Sequence, residues 1–278
     1  MATISTKVSD RLTQGIKRYQ PILSAAKSRD VNEADTVTIV KDMLQDVFGY
    51  DKYVEITGEH LIRGTFVDLA IKLDGQLSLL IEVKAVGLAL KDAFVKQAVD
   101  YAANQGVEWV ILTNGVTWRI YRLIFAQPIA AEMVIEIDFC GLNPRSSQHL
   151  EQIFLLTREG QIKSVLGEYH AHRQALSRYV LGAVMLSEPV IDCIRRELKR
   201  MSPDARVDAA EVRASLINEV IKREVVEGEK ADEAKRKLSR VASRALRAKA
   251  TSKKEGNLGA IDPMTNSALA EENFVAPI

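Results

Sequence analysis

Cysteine is scarce: the 278 residues hold two, Cys140 and Cys193, far apart in the chain. Such a pair supplies neither a disulfide framework nor the spacing of a zinc site, and a reducing cytoplasm is the compartment it fits. Long apolar runs are missing. Stretches such as Val180–Leu186 fall far short of the roughly 20 residues that a bilayer-spanning helix needs, and the N-terminus lacks the apolar region of a secretory signal. The expectation is a cytoplasmic protein with no membrane contact. The four histidines, His60, His149, His170 and His172, form no ligand constellation, and His170 with His172 reads as a polar patch at a helix start. No repeat in the range of roughly 20–50 residues is visible, which argues against solenoids and propellers. A net excess of charge is also lacking: the formal value is +1, which by itself argues neither for nor against a polyanionic partner.

What is present is an ordinary globular composition, 47% hydrophobic, long enough to bury a full core. The charge is unevenly spread. Residues 1–194 carry 20 basic and 23 acidic side chains, residues 195–254 carry 18 and 10, and residues 255–278 carry none and 4. Apolar residues at helical spacing predict a helix over 9–26, with Pro21 expected to kink or split it. A second helix follows Asn32, a good N-cap. Glu33 and Asp35 lie in its first turn, Val37, Val40, Leu44 and Val47 form its stripe, and Gly49 ends it.

Strand signals come next: Tyr53–Thr57, then Thr65–Leu73 and Leu77–Lys84 joined through Asp74-Gly75-Gln76, a strong hairpin signature. A helix over 91–104 precedes strands at 107–113, 116–123 and 133–137. After Asn143-Pro144 helical patterns take over, at 148–156, 169–186, 189–200, 209–226 and 230–250. Residues 251–278 lose periodicity and are expected to form a flexible tail. The expected division is an α/β unit over 1–143, an α-helical extension over 144–250 and the tail. The basic helix over 230–250 could track a nucleic-acid backbone, form an interface with a second copy, or be a solvated amphipathic face.

The chemistry is concentrated between Asp68 and Lys84. Glu82 and Lys84 lie two apart on an apolar strand, so they project from one face. A carboxylate and an ammonium set among Leu79, Leu80, Ile81 and Val83 are costly to bury without purpose. Pairing around the Asp-Gly turn brings Asp68 roughly opposite Glu82. Two carboxylates at one point suit a hard cation such as Mg²⁺ or Mn²⁺, with the Val83 carbonyl as a further ligand. Lys84 is suited to orienting or deprotonating water and to offsetting charge on a phosphoryl transition state. The competing reading is a surface ion-pair cluster on a half-exposed strand.

The Asp68…Glu82-Val83-Lys84 pattern resembles the PD-(D/E)xK nuclease signature. Over residues 30–122 the chain is similar to the N-terminal nuclease domain of type I restriction enzyme R subunits. Glu33 matches that family's helix glutamate, Gln97 and Tyr101 its Gln-x-x-x-Tyr helix, and the stretch Val110–Tyr121 its following hairpin. The resemblance implies a restriction-endonuclease-like mixed sheet flanked by helices, Mg²⁺- or Mn²⁺-dependent cleavage of DNA, and catalytic Glu33, Asp68, Glu82 and Lys84. Gln97 and Tyr101 would position DNA. Val67 stands where the signature has proline, and no Gly-x-x-x-x-Gly-Lys-Ser/Thr loop occurs. A nucleotide cofactor and the ATP-driven translocase of R subunits are therefore not expected. Two rival readings remain: a non-catalytic DNA- or partner-binding module of the same fold, and an assembly protein acting through its C-terminal helices.

Overall fold

The computed structural model describes residues 3–62 and 65–256, except for the side chains of residues 59–66 and 245–256. Arg63, considered from sequence as a phosphate contact, lies outside the described residues, as do residues 257–278 of the expected tail. The described chain is a mixed α/β fold with a helical C-terminal part. No described helix is long and apolar enough to cross a membrane.

The chain divides into two compact units between His172 and Arg173. In the first, α1 (Thr6–Ser28) and α2 (Glu33–Asp46) precede a six-stranded sheet whose spatial order equals its sequence order. The strands are β1 (Ile56–Ile62), β2 (Thr65–Leu73), β3 (Gln76–Val83), β4 (Trp109–Thr113), β5 (Thr117–Ile124) and β6 (Ala130–Asp138). All neighbours are antiparallel except β3 and β4, which run parallel. A parallel pair needs a crossover. Here it is a 3₁₀ turn, Asp92–Val95, followed by α3 (Lys96–Gln105), which ends on Gly106 in the left-handed region.

The β2–β3 turn is tight. Asp74 and Gly75 both have positive φ, 50° and 76°, the geometry that two-residue hairpins favour. Leu79–Val83 of β3 and all of β4 are buried. Leu69, Ile71, Leu79, Ile81 and Ile111 join α1 and α2 in one core, whereas Ala70, Leu80, Val110 and Leu112 join α3 in another. Strands covered on both faces read as continuous apolar runs, as these two do.

Helix α1 runs unbroken through Pro21. Its inner stripe, Leu12, Ile16, Tyr19 and Leu23, is buried throughout, and that packing outweighs the backbone hydrogen bond lost at the proline. Gln20 Nε2 donates to the carbonyls of Phe139, Cys140 and Leu142, fastening the end of the sheet to this helix.

The sheet ends near residue 143, but the first unit continues. α4 (Ser147–Phe154), α5 (Arg158–Ile162) and the start of α6 (Val165–Ala175) return to it. Ile153, Phe154, Leu155, Leu156, Val165 and Leu166 are buried in the α1/α2 core. Arg11 holds Glu159 through two bonds of 2.8 and 2.6 Å, Arg158 pairs with Glu55, and the fully buried Tyr50 hydroxyl donates to the Leu156 carbonyl.

The second unit is helical. α7 (Arg178–Met185), α8 (Glu188–Met201), α9 (Ala209–Ser215), a π turn over Leu216–Val220, α10 (Arg223–Val226) and α11 (Glu229–Gly256) follow one another. α11 packs on α7, and α8 on α9. α11 extends through residues 251–256, the first part of the expected tail.

Each fully buried large apolar side chain contributes about 1.5–3 kcal/mol. The six contributed by residues 153–166 together rival the ~5–15 kcal/mol net stability of a whole domain. A fragment ending at residue 143 is therefore expected to lose its cooperative melt, and one ending at residue 175 to keep it. Differential scanning calorimetry of the two fragments checks this, and a sharp transition in the shorter one would refute it.

Candidate active site

The hairpin register decides how the charged residues meet. Leu69 pairs with Ile81, so one residue further from the turn Asp68 stands opposite Glu82 on the same face. Asp68 Oδ2 accepts a 2.7 Å hydrogen bond from the Val83 amide, which ties its carboxylate to the strand carrying Glu82 and Lys84. On the other side of β3, Glu82 pairs in register with Leu112, and the Lys84 amide donates to the Thr113 carbonyl at 2.8 Å. The strand end is thereby held from both flanks.

Glu82 is only 6% exposed. Its Oε1 accepts from Lys84 Nζ at 2.8 Å, and its Oε2 is buried with no hydrogen-bond partner. Lys84 Nζ also donates to Glu33 Oε1 at 3.2 Å. Glu33 lies in the first turn of α2, half exposed, where the helix N-terminus favours its charge. Asn32 caps that helix by accepting from the Asp35 amide, so Asp35 serves the cap.

Burial is the largest influence on Glu82 and raises its carboxyl above the ordinary carboxylate value. Asp68 and Glu33 push the same way, while Lys84 opposes them. On Lys84 burial is again the largest single influence and acts downward. The bonds and charges of Glu82 and Glu33 together outweigh it, so the ammonium is held above its usual range. The result is one cation between two carboxylates, with a third close by.

One residue missed in the sequence shapes this cluster. Thr36 is fully buried; its hydroxyl donates to the Asn32 carbonyl at 2.7 Å and accepts from the Val86 amide at 3.1 Å. The first turn of α2 is thus bound to the segment that follows Lys84. Asn114 and Arg119 hold the same segment through the Leu88 and Leu90 carbonyls. The only local signal was a threonine three residues after Glu33, which sequence alone cannot separate from an ordinary helix residue.

The two α3 residues separate. Tyr101 is 4% exposed and belongs to the α3-side core, whereas Gln97, one turn earlier, is exposed. Trp109 and Trp118 are buried core residues. His170 is buried within α6 rather than lying at a helix start: Arg122 donates to its Nδ1 at 2.7 Å, and Glu132 lies 3.3 Å from its Nε2.

The donor chemistry is hard oxygen. Among the described residues no three His, Cys, Asp or Glu side chains gather as a metal-ligand set. A cation here would rest on Asp68 and Glu82 with the Val83 carbonyl, the sparse protein donor set that Mg²⁺ commonly accepts. The unpartnered Glu82 oxygen fits that demand: a buried, unsatisfied charged acceptor costs upward of about 1–3 kcal/mol.

Comparison with known families adds a decisive observation. Residues 41–137 match the family described as type I restriction enzyme R protein N terminus. The match covers about a third of the chain and takes in Asp68, Glu82, Lys84, Gln97 and Tyr101, while Glu33 lies just before it. No curated protein and no solved structure matches the chain. The matched stretch therefore coincides with the sheet and its crossover helix, the part of the fold that assembles the charged cluster.

A carboxyl raised on folding binds its proton more tightly in the folded than in the unfolded chain. Its stabilising contribution is fully present below the ordinary carboxylate value and is lost as pH rises through the raised one. Glu82→Gln is thus expected to melt above the wild type at neutral pH in metal-free buffer, by a few degrees, given roughly 2–4 °C per kcal/mol for a domain of this size. The gap should narrow near pH 4. Thermal scans at both pH values check this; a lower-melting variant at neutral pH would mean that the Lys84 ion pair outweighs burial.

Proposed function

We propose that the first unit is a nuclease domain of the PD-(D/E)xK type that hydrolyses DNA phosphodiester bonds with Mg²⁺ or Mn²⁺. The observation that carries this reading is the Asp68–Glu82–Lys84 cluster at the end of a strand buried on both faces, with one Glu82 oxygen unpartnered. Its coincidence with the R protein N-terminal match supports the same reading. Asp68, Glu82 and the Val83 carbonyl would hold the cation. When bound, the cation supplies Lewis acidity to the phosphate and makes water a stronger nucleophile at neutral pH.

The chain's own groups do the rest. Asp68 is kept in place by the Val83 amide, so its carboxylate meets the substrate already oriented. The Lys84 ammonium, steadied by Glu82 and Glu33, donates to the nucleophilic water or to the non-bridging phosphoryl oxygens as charge grows on them. Glu33 helps keep Lys84 charged and in place. Tyr101 is largely buried and packs α3 against the sheet, and Gln97, one turn earlier, is exposed to meet the substrate. Restriction of foreign DNA is the biological setting that the family suggests.

Supercoiled plasmid should be nicked or linearised by the full chain in Mg²⁺ or Mn²⁺ and left intact in EDTA. Lys84→Ala and Asp68→Ala should each slow cleavage by about 10²-fold or more, the scale seen when one preorganised charge-stabilising group is removed. Agarose-gel time courses read the result. A wild-type chain that binds DNA but does not cut it with either metal would favour the non-catalytic module instead.

A further inference from the structure

Several arginines and lysines of the second unit have ion-pair partners: Arg178 pairs with Glu224, Arg200 with Glu197, Arg213 with Glu188, Arg223 with Glu227, and Lys235 with Asp232. Others gather around one concavity. Asp192, Arg195, Arg196 and Lys199 follow one another along a single face of α8, at the three- and four-residue spacing that makes helix neighbours. The chain then turns at Pro203 and comes back beside that face, where Arg195 Nε donates to the Val207 carbonyl at 3.3 Å. Between helix and returning segment lies an open cavity of about 980 Å³, lined by these four residues together with Asp204 and Arg206.

The charges on this cavity do not cancel. Asp192 is engaged with Arg195 at 3.3 Å. Arg196 reaches only a backbone carbonyl, that of Asp192, at 3.4 Å. Among the described residues no carboxylate forms an ion pair with Arg196, Lys199 or Arg206, and all three are exposed. Attraction to the C-terminal end of α8 accounts for Lys199 alone. It does not explain why Arg206, from a separate segment, brings its charge to the same concavity. Counting Asp192 and Asp204, the lining holds four cations against two carboxylates, so the cavity faces solvent with an excess of positive charge.

We propose that this cavity is a docking site for the phosphodiester backbone of DNA. Its shape is open rather than enclosed and its cations are spread along a helix face, which suits successive phosphates on a strand better than one small anion. The surrounding stretch is basic throughout, with 18 Lys or Arg against 10 Asp or Glu over residues 195–254. Contacts of this kind read no sequence and supply affinity by releasing counterions. The choice of DNA as the polyanion rests on the function proposed above; the cavity itself does not depend on whether the chain cuts.

The test uses the full chain in EDTA, so cleavage plays no part, and a short labelled DNA duplex followed by fluorescence anisotropy from about 50 to 200 mM salt. The triple variant Arg196→Gln, Lys199→Gln, Arg206→Gln should bind about tenfold or more weakly, with a log–log salt slope shallower by about 2–3, at ~0.9 for each phosphate no longer neutralised. A control triple with the same loss of charge at ion-paired positions, Arg178→Gln, Arg213→Gln, Arg223→Gln, should stay close to wild type. Arg196→Lys with Arg206→Lys, which keeps the charge, should keep the slope, and this guards against a folding defect in the glutamine triple. Equal losses in both triples, or no loss in either, would overturn the proposal. So would a cavity that inorganic phosphate protects from thermal unfolding while duplex binding is unchanged by the triple. A chain that binds but never cuts would count against the nuclease reading and leave this one standing.

Discussion

A carboxylate buried at the end of an apolar strand is the constraint around which the first unit is organised. Glu82 sits between Ile81 and Val83 in β3, a strand covered on both faces, and is almost wholly removed from water. Hydrophobic packing alone would expel it. It persists because Lys84, two residues on, turns its ammonium back to one of its oxygens. Lys84 in turn is held by a glutamate from another layer. The arrangement does not extend to the second oxygen of Glu82, which stays buried without a hydrogen-bond partner.

The rest of the unit supplies the frame. The tight Asp74-Gly75 turn and the register shift between Ile71 and Lys72 together face Asp68 with Glu82, since the turn's own register would oppose Asp68 to Ile81; a slip of one residue would send Asp68 to the opposite face of the sheet. The parallel β3–β4 step forces a crossover, which delivers α3 over the face carrying Leu80 and Leu112. α2 covers the other face and brings Glu33. The match to the R protein N terminus covers the sheet and the crossover helix and ends before α4.

What was legible in the sequence were features with a short-range cause. The hairpin followed from Asp-Gly between β-rich runs and the α2 start from Asn32; the pairing of Asp68 with Glu82 was foreseen only by centring the loop near residue 75, and in the structure it comes from a register shift between Ile71 and Lys72. Features that depend on distant partners were not legible. Pro21 lies inside an unbroken helix because burial elsewhere along α1 outweighs it. The stretch from Tyr169 to Leu186 reads as one helix but is two, divided where Ser177 caps α7 by accepting from the Val180 amide. α5 is five residues long, too short to leave a periodic trace, and is fixed by Arg11 and Glu55 from far upstream. In the site, Asp68, Glu82 and Lys84 could be read from local pattern and resemblance. The ion pair of Glu33 with Lys84, the role of Thr36 and the different depths of Gln97 and Tyr101 are products of tertiary packing.

The Thr36 hydroxyl adds a buried bridge between two backbone groups, one opening α2 and one leaving β3, beside the Glu33–Lys84 ion pair and the core the two elements share. Each bond is worth about 1 kcal/mol, but the geometric effect is larger. Glu33 is three residues before Thr36 on the same helix, so α2 cannot roll or slide and carry Glu33 off Lys84 without first breaking this buried bridge. The acidic and basic groups are therefore held in mutual alignment by a buried contact as well as by their own charges.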